Sequence, residues 1–184
     1  MSLTETNPQT GTVEAAIIKW INNEPNLKQS KNTMGGYEGW AQLQVYNFFK
    51  DVMSRDANIE REEHIFTNIR KKVDLWMKLR DGTQVATELK FRTKSETRQH
   101  FQDRVLKDIK KVWGGVQPEY RPIRNYVMGI TDSPGDLMQW DSRMGDWPAT
   151  PQRFLETKGL NKFYVVLWAV DVNTAGDNSI VQWD

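Results

Sequence analysis

The chain has 184 residues, of which 38% are hydrophobic and 11% aromatic, and these fractions predict one folded domain (1–184) rather than a disordered chain. The formal net charge of +1 does not by itself indicate a nucleic-acid-binding protein, and the absence of cysteine excludes disulfides, thiol catalysis and cysteine–zinc sites. No apolar run is long enough for a membrane span and no signal-peptide pattern is present, so we expect a cytoplasmic protein without a membrane partner.

Hydrophobic periodicity predicts a mixed α/β (α+β) protein with a central mixed β-sheet flanked by helices. Residues 1–10 are polar and are expected to be disordered, and the polar segment 132–159 is expected to be a long connection of the kind that often carries binding residues, here Trp140 and Trp147. The predicted helices lie at 12–24, 37–53 and about 95–113. The predicted strands lie at 58–66, within a hairpin at 71–92, at 124–131, at 161–172 and near 179–183.

The small net charge conceals an uneven distribution along the chain. Residues 1–69 carry 6 basic and 9 acidic side chains, residues 70–124 carry 15 and 7, and residues 125–184 carry 4 and 8. The middle segment is therefore +8, between segments of −3 and −4. Such a basic centre is consistent with a binding surface for phosphates and equally with solvated faces of helices and strands.

The turn of the predicted hairpin determines which of its charged side chains meet. The sequence "RDGT" (80–83) fits a three-residue loop in which Gly82 takes a positive φ, and counting outward from that loop sets Asp74 opposite Glu88. A two-residue Asp-Gly turn would send these two carboxylates to opposite faces and would mix charged and apolar side chains on both. We therefore expect the three-residue loop.

In this register one face of the hairpin is charged and the other is apolar. Asp74, Glu88 and Lys90 project together, and two carboxylates this close repel each other unless a cation compensates them. Lys90 supplies part of the compensation, and a hard divalent ion such as Mg²⁺ also prefers such oxygen ligands; a solvated charged cluster remains an alternative. The residues expected on the apolar face are Val73, Leu75, Met77, Val85, Leu89 and Phe91.

This arrangement resembles the PD-(D/E)xK nuclease superfamily, which has a restriction-endonuclease-like αβββαβ core. The family places an aspartate on one strand, Glu-x-Lys on the next, a glutamate on the preceding helix and a further helix after them. The resemblance covers about residues 36–131, and Val73 stands where the family usually has proline. The residues that carry it are Glu38 in "YEGW", Asp74 in "KVDLWM", and Glu88, Leu89 and Lys90 in "ELK".

The resemblance implies a DNA endonuclease that hydrolyses phosphodiester bonds with Mg²⁺ or Mn²⁺, acts on DNA rather than RNA, and works as a monomer or a homodimer. Asp74 and Glu88 would hold the metal ion, with the Leu89 carbonyl joining them. Glu38 would complete the shell or serve a second metal position, although a first-turn role at the helix N-terminus stays open. Lys90 would orient the attacking water or help to deprotonate it.

A second resemblance, to a bacterial subset of the superfamily, concerns "ELKFRTKSETRQHFQDRVLKDIKKVW" (88–113) and implies nucleic-acid contacts from the helix after Lys90. That stretch would align Gln99, Asp103 and Lys107 on one helix face, with a solvent-facing polar stripe as the alternative. Trp76 shares the face of Asp74 and would stack on a base or be covered by a neighbouring element. The basic residues implied to contact phosphates are Arg92, Lys94, Arg98, Arg104, Lys110 and Lys111.

Three functions stay open on the sequence alone: a metal-dependent DNA nuclease, a catalytically silent nucleic-acid-binding protein of the same fold, and a toxin or defence nuclease that acts on RNA. The sequence contains no P-loop, dinucleotide fingerprint or nucleophile elbow. The two histidines, His64 and His100, are far apart in the chain, which argues against a histidine zinc site.

Overall fold

A computed structural model of the chain describes residues 13–32, 37–53, 57–137, 151–156 and 162–170. The described helices are α1 (Val13–Asn23), α2 (Leu27–Lys31), α3 (Tyr37–Met53) and α4 (Arg98–Trp113). The described strands are β1 (Ala57–Glu63), β2 (Val73–Leu79), β3 (Gln84–Phe91), β4 (Ile123–Thr131), β5 (Pro151–Glu156) and β6 (Tyr164–Ala169). One short 3-10 helix, Pro118–Tyr120, precedes β4 in the chain, and another, Pro134–Leu137, follows it.

The described strands form one sheet in the order β1-β2-β3-β4-β6-β5. β3 and β4 are parallel, and α4 makes the crossover between them, as a parallel pair requires. The other neighbouring strands are antiparallel. The predicted mixed sheet flanked by helices is therefore confirmed.

The two faces of the sheet are covered by different helices. α1, α2 and α3 pack on the face that carries Leu75, Leu89 and Phe91, and α4 packs on the opposite face, over Ala86 and Val127. Alternating side chains of β2 and β3 thus contribute to both cores, because successive strand residues point to opposite sides. The charged residues of the hairpin share the α4 side.

α4 approaches the sheet closely, and this fixes the position of its polar side chains. Its first turn is capped by Thr97, whose hydroxyl accepts a hydrogen bond from the backbone N–H of His100 at 3.2 Å. In β4, a Cβ atom at Gly129 would lie 3.2 Å from the Phe101 ring and 3.4 Å from a Val105 methyl group. Glycine at this position therefore allows α4 to lie against β4.

Several predicted boundaries differ from the structure. β1 ends at Glu63 rather than at residue 66, since Glu62 takes a positive φ of 53° and the chain then leaves the sheet. α4 begins at Arg98, three residues later than predicted, because Thr97 is its cap. Val73, the first residue of β2, packs with the α4-side core and not with Leu75.

Two elements lie in segments that were expected to be connections. α2 follows Pro25, and β5 forms an edge strand within the predicted connection 132–159. Residues 1–10, Trp140, Trp147 and the predicted edge strand near 179–183 lie outside the described residues. None of the described helices has both the length and the apolar character needed to cross a membrane.

Substituting Gly129 by valine is expected to destabilise the protein by about 1–3 kcal/mol, because the added methyl groups must displace the Phe101 ring and Val105. The matched substitution Gly39→Val is expected to change stability by less than about 0.5 kcal/mol, since nothing lies within 4 Å of a Cβ atom there. Urea unfolding of both variants measures the difference. Equal midpoints would contradict the close packing of α4 on β4.

Candidate active site

The β2–β3 hairpin has the register that the turn sequence predicts. The N–H of Leu79 donates to the Thr83 carbonyl at 2.8 Å, and Gly82 has a φ of 87°. Further along the ladder Leu75 pairs with Thr87, so the next pair outward is Asp74 and Glu88. The prediction that these two carboxylates stand side by side on one face is confirmed.

The two carboxylates have different surroundings. Asp74 Oδ2 accepts a hydrogen bond from the Leu89 N–H at 2.8 Å, across the strand pair. Glu88 is fully buried, and its Oε1 atom has no hydrogen-bond partner among the described residues. Its Oε2 atom lies 2.6 Å from Lys111 Nζ, so a single ammonium compensates this carboxylate directly.

Lys90 occupies the centre of the site. Its Nζ atom lies 3.0 Å from Glu38 Oε1, 3.0 Å from Asp108 Oδ2 and 3.8 Å from Asp74 Oδ2. Three elements, α3, β2 and α4, therefore each direct a carboxylate at one ammonium. The predicted grouping of Glu38, Asp74, Glu88 and Lys90 is what the fold produces.

α3 contributes through its first turn. The Glu38 carboxylate contacts Arg104 as well as Lys90, which places it in the site rather than leaving it as a surface residue. One turn further on, Gln42 Nε2 donates to the Leu89 carbonyl at 3.1 Å. α3 thus holds both a charged side chain and an amide over the end of β3.

α4 contributes three charged side chains, Arg104, Asp108 and Lys111, which lie on consecutive turns of one helix face. Arg104 pairs with Glu38, and it also donates to the Phe91 carbonyl at 2.9 Å. Asp108 is 6% exposed and lies 3.5 Å from Lys111 as well as 3.0 Å from Lys90. Glu96 Oε1 pairs with Arg104 Nε at 2.7 Å. We call the charged groups that these contacts connect the ion-pair cluster: Glu38, Asp74, Glu88, Lys90, Glu96, Arg104, Asp108 and Lys111.

Sequence reasoning missed Asp108 as part of the site and assigned Arg104 and Lys111 only to phosphate contacts. The stripe it selected, Gln99, Asp103 and Lys107, lies on the exposed side of α4. The sequence contained a signal: Asp108 immediately precedes Ile109, which belongs to the apolar stripe Phe101, Val105, Ile109 and Val112, so it borders the buried face of the helix. Arg104 and Asp108, which belong to the cluster, each lie one position after a predicted residue, Asp103 and Lys107.

The other predicted contact residues lie around the site rather than in it. Arg92 pairs with Asp136 and donates to the Glu96 carbonyl at 3.1 Å, so it joins the strand end to the loop. Lys94 and Arg98 are exposed. Trp76 is partly buried: its ring packs edge-on against Tyr120 with centroids 5.7 Å apart, and its indole N–H donates to Gln84 at 3.1 Å.

Burial and like charges act on the carboxylates in the same direction. Burial raises the pKa of Asp74, the Asp108 carboxylate raises it further, and Lys90 opposes both. Burial also raises the pKa of Glu88 well above its ordinary value, with Asp74 and Asp108 adding to the effect and Lys111 opposing it. Each of these carboxyl groups therefore releases its proton at a higher pH in the folded protein than in the unfolded chain.

The two lysines respond in the opposite way. Burial alone would lower the pKa of the Lys90 ammonium, but the facing carboxylates of Asp74, Asp108 and Glu38 raise it above the ordinary lysine value. Burial alone would also lower the pKa of the Lys111 ammonium, but the carboxylates of Glu88 and Asp108 outweigh burial and leave this pKa raised. Both side chains are ammonium ions at neutral pH.

Glu88→Gln is expected to remove part of the pH dependence of stability. The folded-state pKa of Glu88 lies well above the unfolded value of 4.5, so the native chain binds more protons between these two values and loses stability as pH rises through that interval. The glutamine variant lacks this titration. Urea unfolding from about pH 5 to about pH 8, in EDTA, should show wild type losing stability relative to Glu88→Gln, and parallel curves would contradict the shift.

No protein-family model matches this chain, and no curated protein or solved structure matches it either. The geometry and chemistry of the ion-pair cluster are therefore what bears on its function.

Proposed function

We propose that this chain is a metal-dependent nuclease of the PD-(D/E)xK superfamily that hydrolyses phosphodiester bonds in DNA. One observation carries the proposal: Asp74 and Glu88 stand side by side on adjacent strands, with Lys90 on the same face, inside a mostly buried cluster. Two neighbouring buried carboxylates destabilise the fold, because they repel each other away from water. A bound cation would be held by both of them and would offset this repulsion.

The oxygen atoms of the cluster suit Mg²⁺ or Mn²⁺. Hard divalent ions prefer carboxylate and carbonyl oxygens, which Asp74, Glu88 and the Leu89 carbonyl supply. Glu88 Oε1 is a buried oxygen without a hydrogen-bond partner among the described residues. The five carboxylates and three cationic side chains of the cluster also leave a formal charge of −2. These residues would hold the metal ion, and Glu38 would complete the site.

When bound, the metal ion would lower the pKa of a water molecule and neutralise charge on the phosphate. Lys90 contributes as an ammonium, because its raised pKa keeps it protonated. It would therefore donate hydrogen bonds to the attacking water or to a phosphate oxygen rather than accept a proton. Glu38 and Asp108, each 3.0 Å from its Nζ atom, hold it in position for this role.

The DNA backbone would be held by exposed cations near the site. Lys94, Arg98 and Lys107 are exposed residues at the start of α4 and on its outer side, in the segment with the excess of basic residues. Such side chains bind phosphates without reading sequence. Arg92 is already paired with Asp136 and has a positioning role in this proposal.

A second candidate function is that of a nucleic-acid-binding protein of the same fold without hydrolysis. It is favoured by the two ammonium groups that lie between the carboxylates, Lys90 between Glu38 and Asp108 and Lys111 between Glu88 and Asp108. This candidate retains nucleic-acid binding but lacks turnover, so hydrolysis distinguishes the two.

Lys90→Ala is expected to lower the hydrolysis rate by about 10²–10³-fold. It removes the ammonium group that would donate a hydrogen bond to the water or phosphate oxygen on which negative charge develops. Hydrolysis of plasmid DNA, single-stranded DNA and RNA would be measured in Mg²⁺, Mn²⁺ and EDTA. EDTA should abolish cleavage, and Asp74→Asn should reduce it at least as strongly as Lys90→Ala, since it removes a metal-holding carboxylate.

The matched control is Lys78→Ala, which removes an exposed lysine from the same hairpin and should leave the rate unchanged. Cleavage that persists in EDTA or in Lys90→Ala would contradict the mechanism. DNA binding without cleavage of any substrate would favour the second candidate, and cleavage of RNA alone would assign the chain to the RNA-directed nucleases.

A further inference from the structure

The Glu88 carboxylate already has a cation in contact with it, the ammonium group of Lys111. Lys111 Nζ lies 2.6 Å from Glu88 Oε2 and 3.5 Å from Asp108 Oδ1, and it donates to the Lys72 carbonyl at 3.1 Å. An ammonium group has three hydrogen atoms to donate, and three acceptors surround this one. Lys111 is therefore held between the helix, the sheet and the start of β2.

Lys90 and Lys111 differ in the carboxylates that they contact. The shortest contacts of Lys90 are with Glu38 and Asp108, and Asp74 lies further away at 3.8 Å. Lys111 instead makes its shortest contact with Glu88 itself. Of the two ammonium groups, Lys111 makes the shorter contact with the Asp74–Glu88 pair, at 2.6 Å against 3.8 Å for Lys90.

We propose that Lys111 competes with the divalent metal ion for Glu88 and so sets the metal affinity of the site. The inference rests on the metal-holding role proposed for Glu88. A divalent ion and an ammonium at one carboxylate repel each other, and burial leaves this repulsion weakly screened by salt. A metal ion at the Oε1 atom of Glu88 therefore weakens the contact of the ammonium with Oε2, while Asp108 and the Lys72 carbonyl remain as partners of Lys111.

The same contact explains how the site stays folded before it binds metal. Glu88 is fully buried, and a buried carboxylate whose partner is removed is strongly destabilising. Lys111 compensates that charge when no metal ion is bound. Its contact with Glu88 therefore stabilises the metal-free fold and opposes metal binding at the same time.

The variant Lys111→Gln is expected to bind Mn²⁺ about tenfold more tightly than wild type, because the competing charge is gone. Lys110→Gln is the matched control: it removes the same charge from the adjacent, exposed residue of α4, and its Kd for Mn²⁺ should stay near that of wild type. Calorimetric titration of Mn²⁺ into each metal-free protein measures the affinities without depending on hydrolysis. Lys111→Arg keeps a cation and is expected to resemble wild type.

A second measurement keeps the test valid if Lys111→Gln folds poorly without metal. The rise in Tm on adding Mn²⁺ should be larger for Lys111→Gln than for wild type, since ligand binding stabilises the folded state according to its affinity. A rise no larger than that of Lys110→Gln, or equal Kd values for the two glutamine variants, would overturn the competition.

These outcomes separate the inference from the proposed function. Mn²⁺ binding with equal affinities would overturn the competition and leave the nuclease proposal standing. Tighter binding by Lys111→Gln in a protein that cleaves no nucleic acid would support the competition and overturn the nuclease proposal. Failure of every variant to bind Mn²⁺ would overturn the competition and the metal-holding role together.

Discussion

The repulsion between two neighbouring carboxylates, Asp74 and Glu88, is the constraint around which this protein is organised. They stand side by side because the hairpin register leaves them no other position, and Glu88 is fully buried. Neither burial nor the second carboxylate favours the ionised form, so cations must be brought to this point of the sheet. Lys90 comes from the hairpin itself, and the remaining cations come from α4.

The helices on the two sides of the sheet are joined through these charges. Arg104 of α4 reaches Glu38 of α3 and the Phe91 carbonyl at the end of β3, so one guanidinium joins both helical layers to the sheet. Gln42 and Gly129 act on the same region by different means, the first through a hydrogen bond to the Leu89 carbonyl and the second by allowing close approach of α4. The geometry of the ion-pair cluster thus depends on packing in both cores.

Much of the fold and part of the site could be predicted from local patterns. The turn "RDGT" predicted the pairing of Asp74 with Glu88, and apolar spacing predicted α1, α3, α4 and the mixed sheet. The start of α4 was placed too early because the capping role of Thr97 was not used. β5 was missed because its polar segment shows no clear alternation of polar and apolar residues. An edge strand can form with little such alternation.

Turn chemistry and the two-residue period of a strand act over a few residues, so the sequence of the hairpin specifies which of its side chains share a face. Which charges of α4 meet those side chains depends on the tertiary structure. The rotation of that helix follows from packing Phe101 and Val105 against β4, and this turns Asp108 and Lys111 inward while Asp103 and Lys107 face solvent. Such a rotation depends on residues far apart in the chain, so no local pattern specifies it.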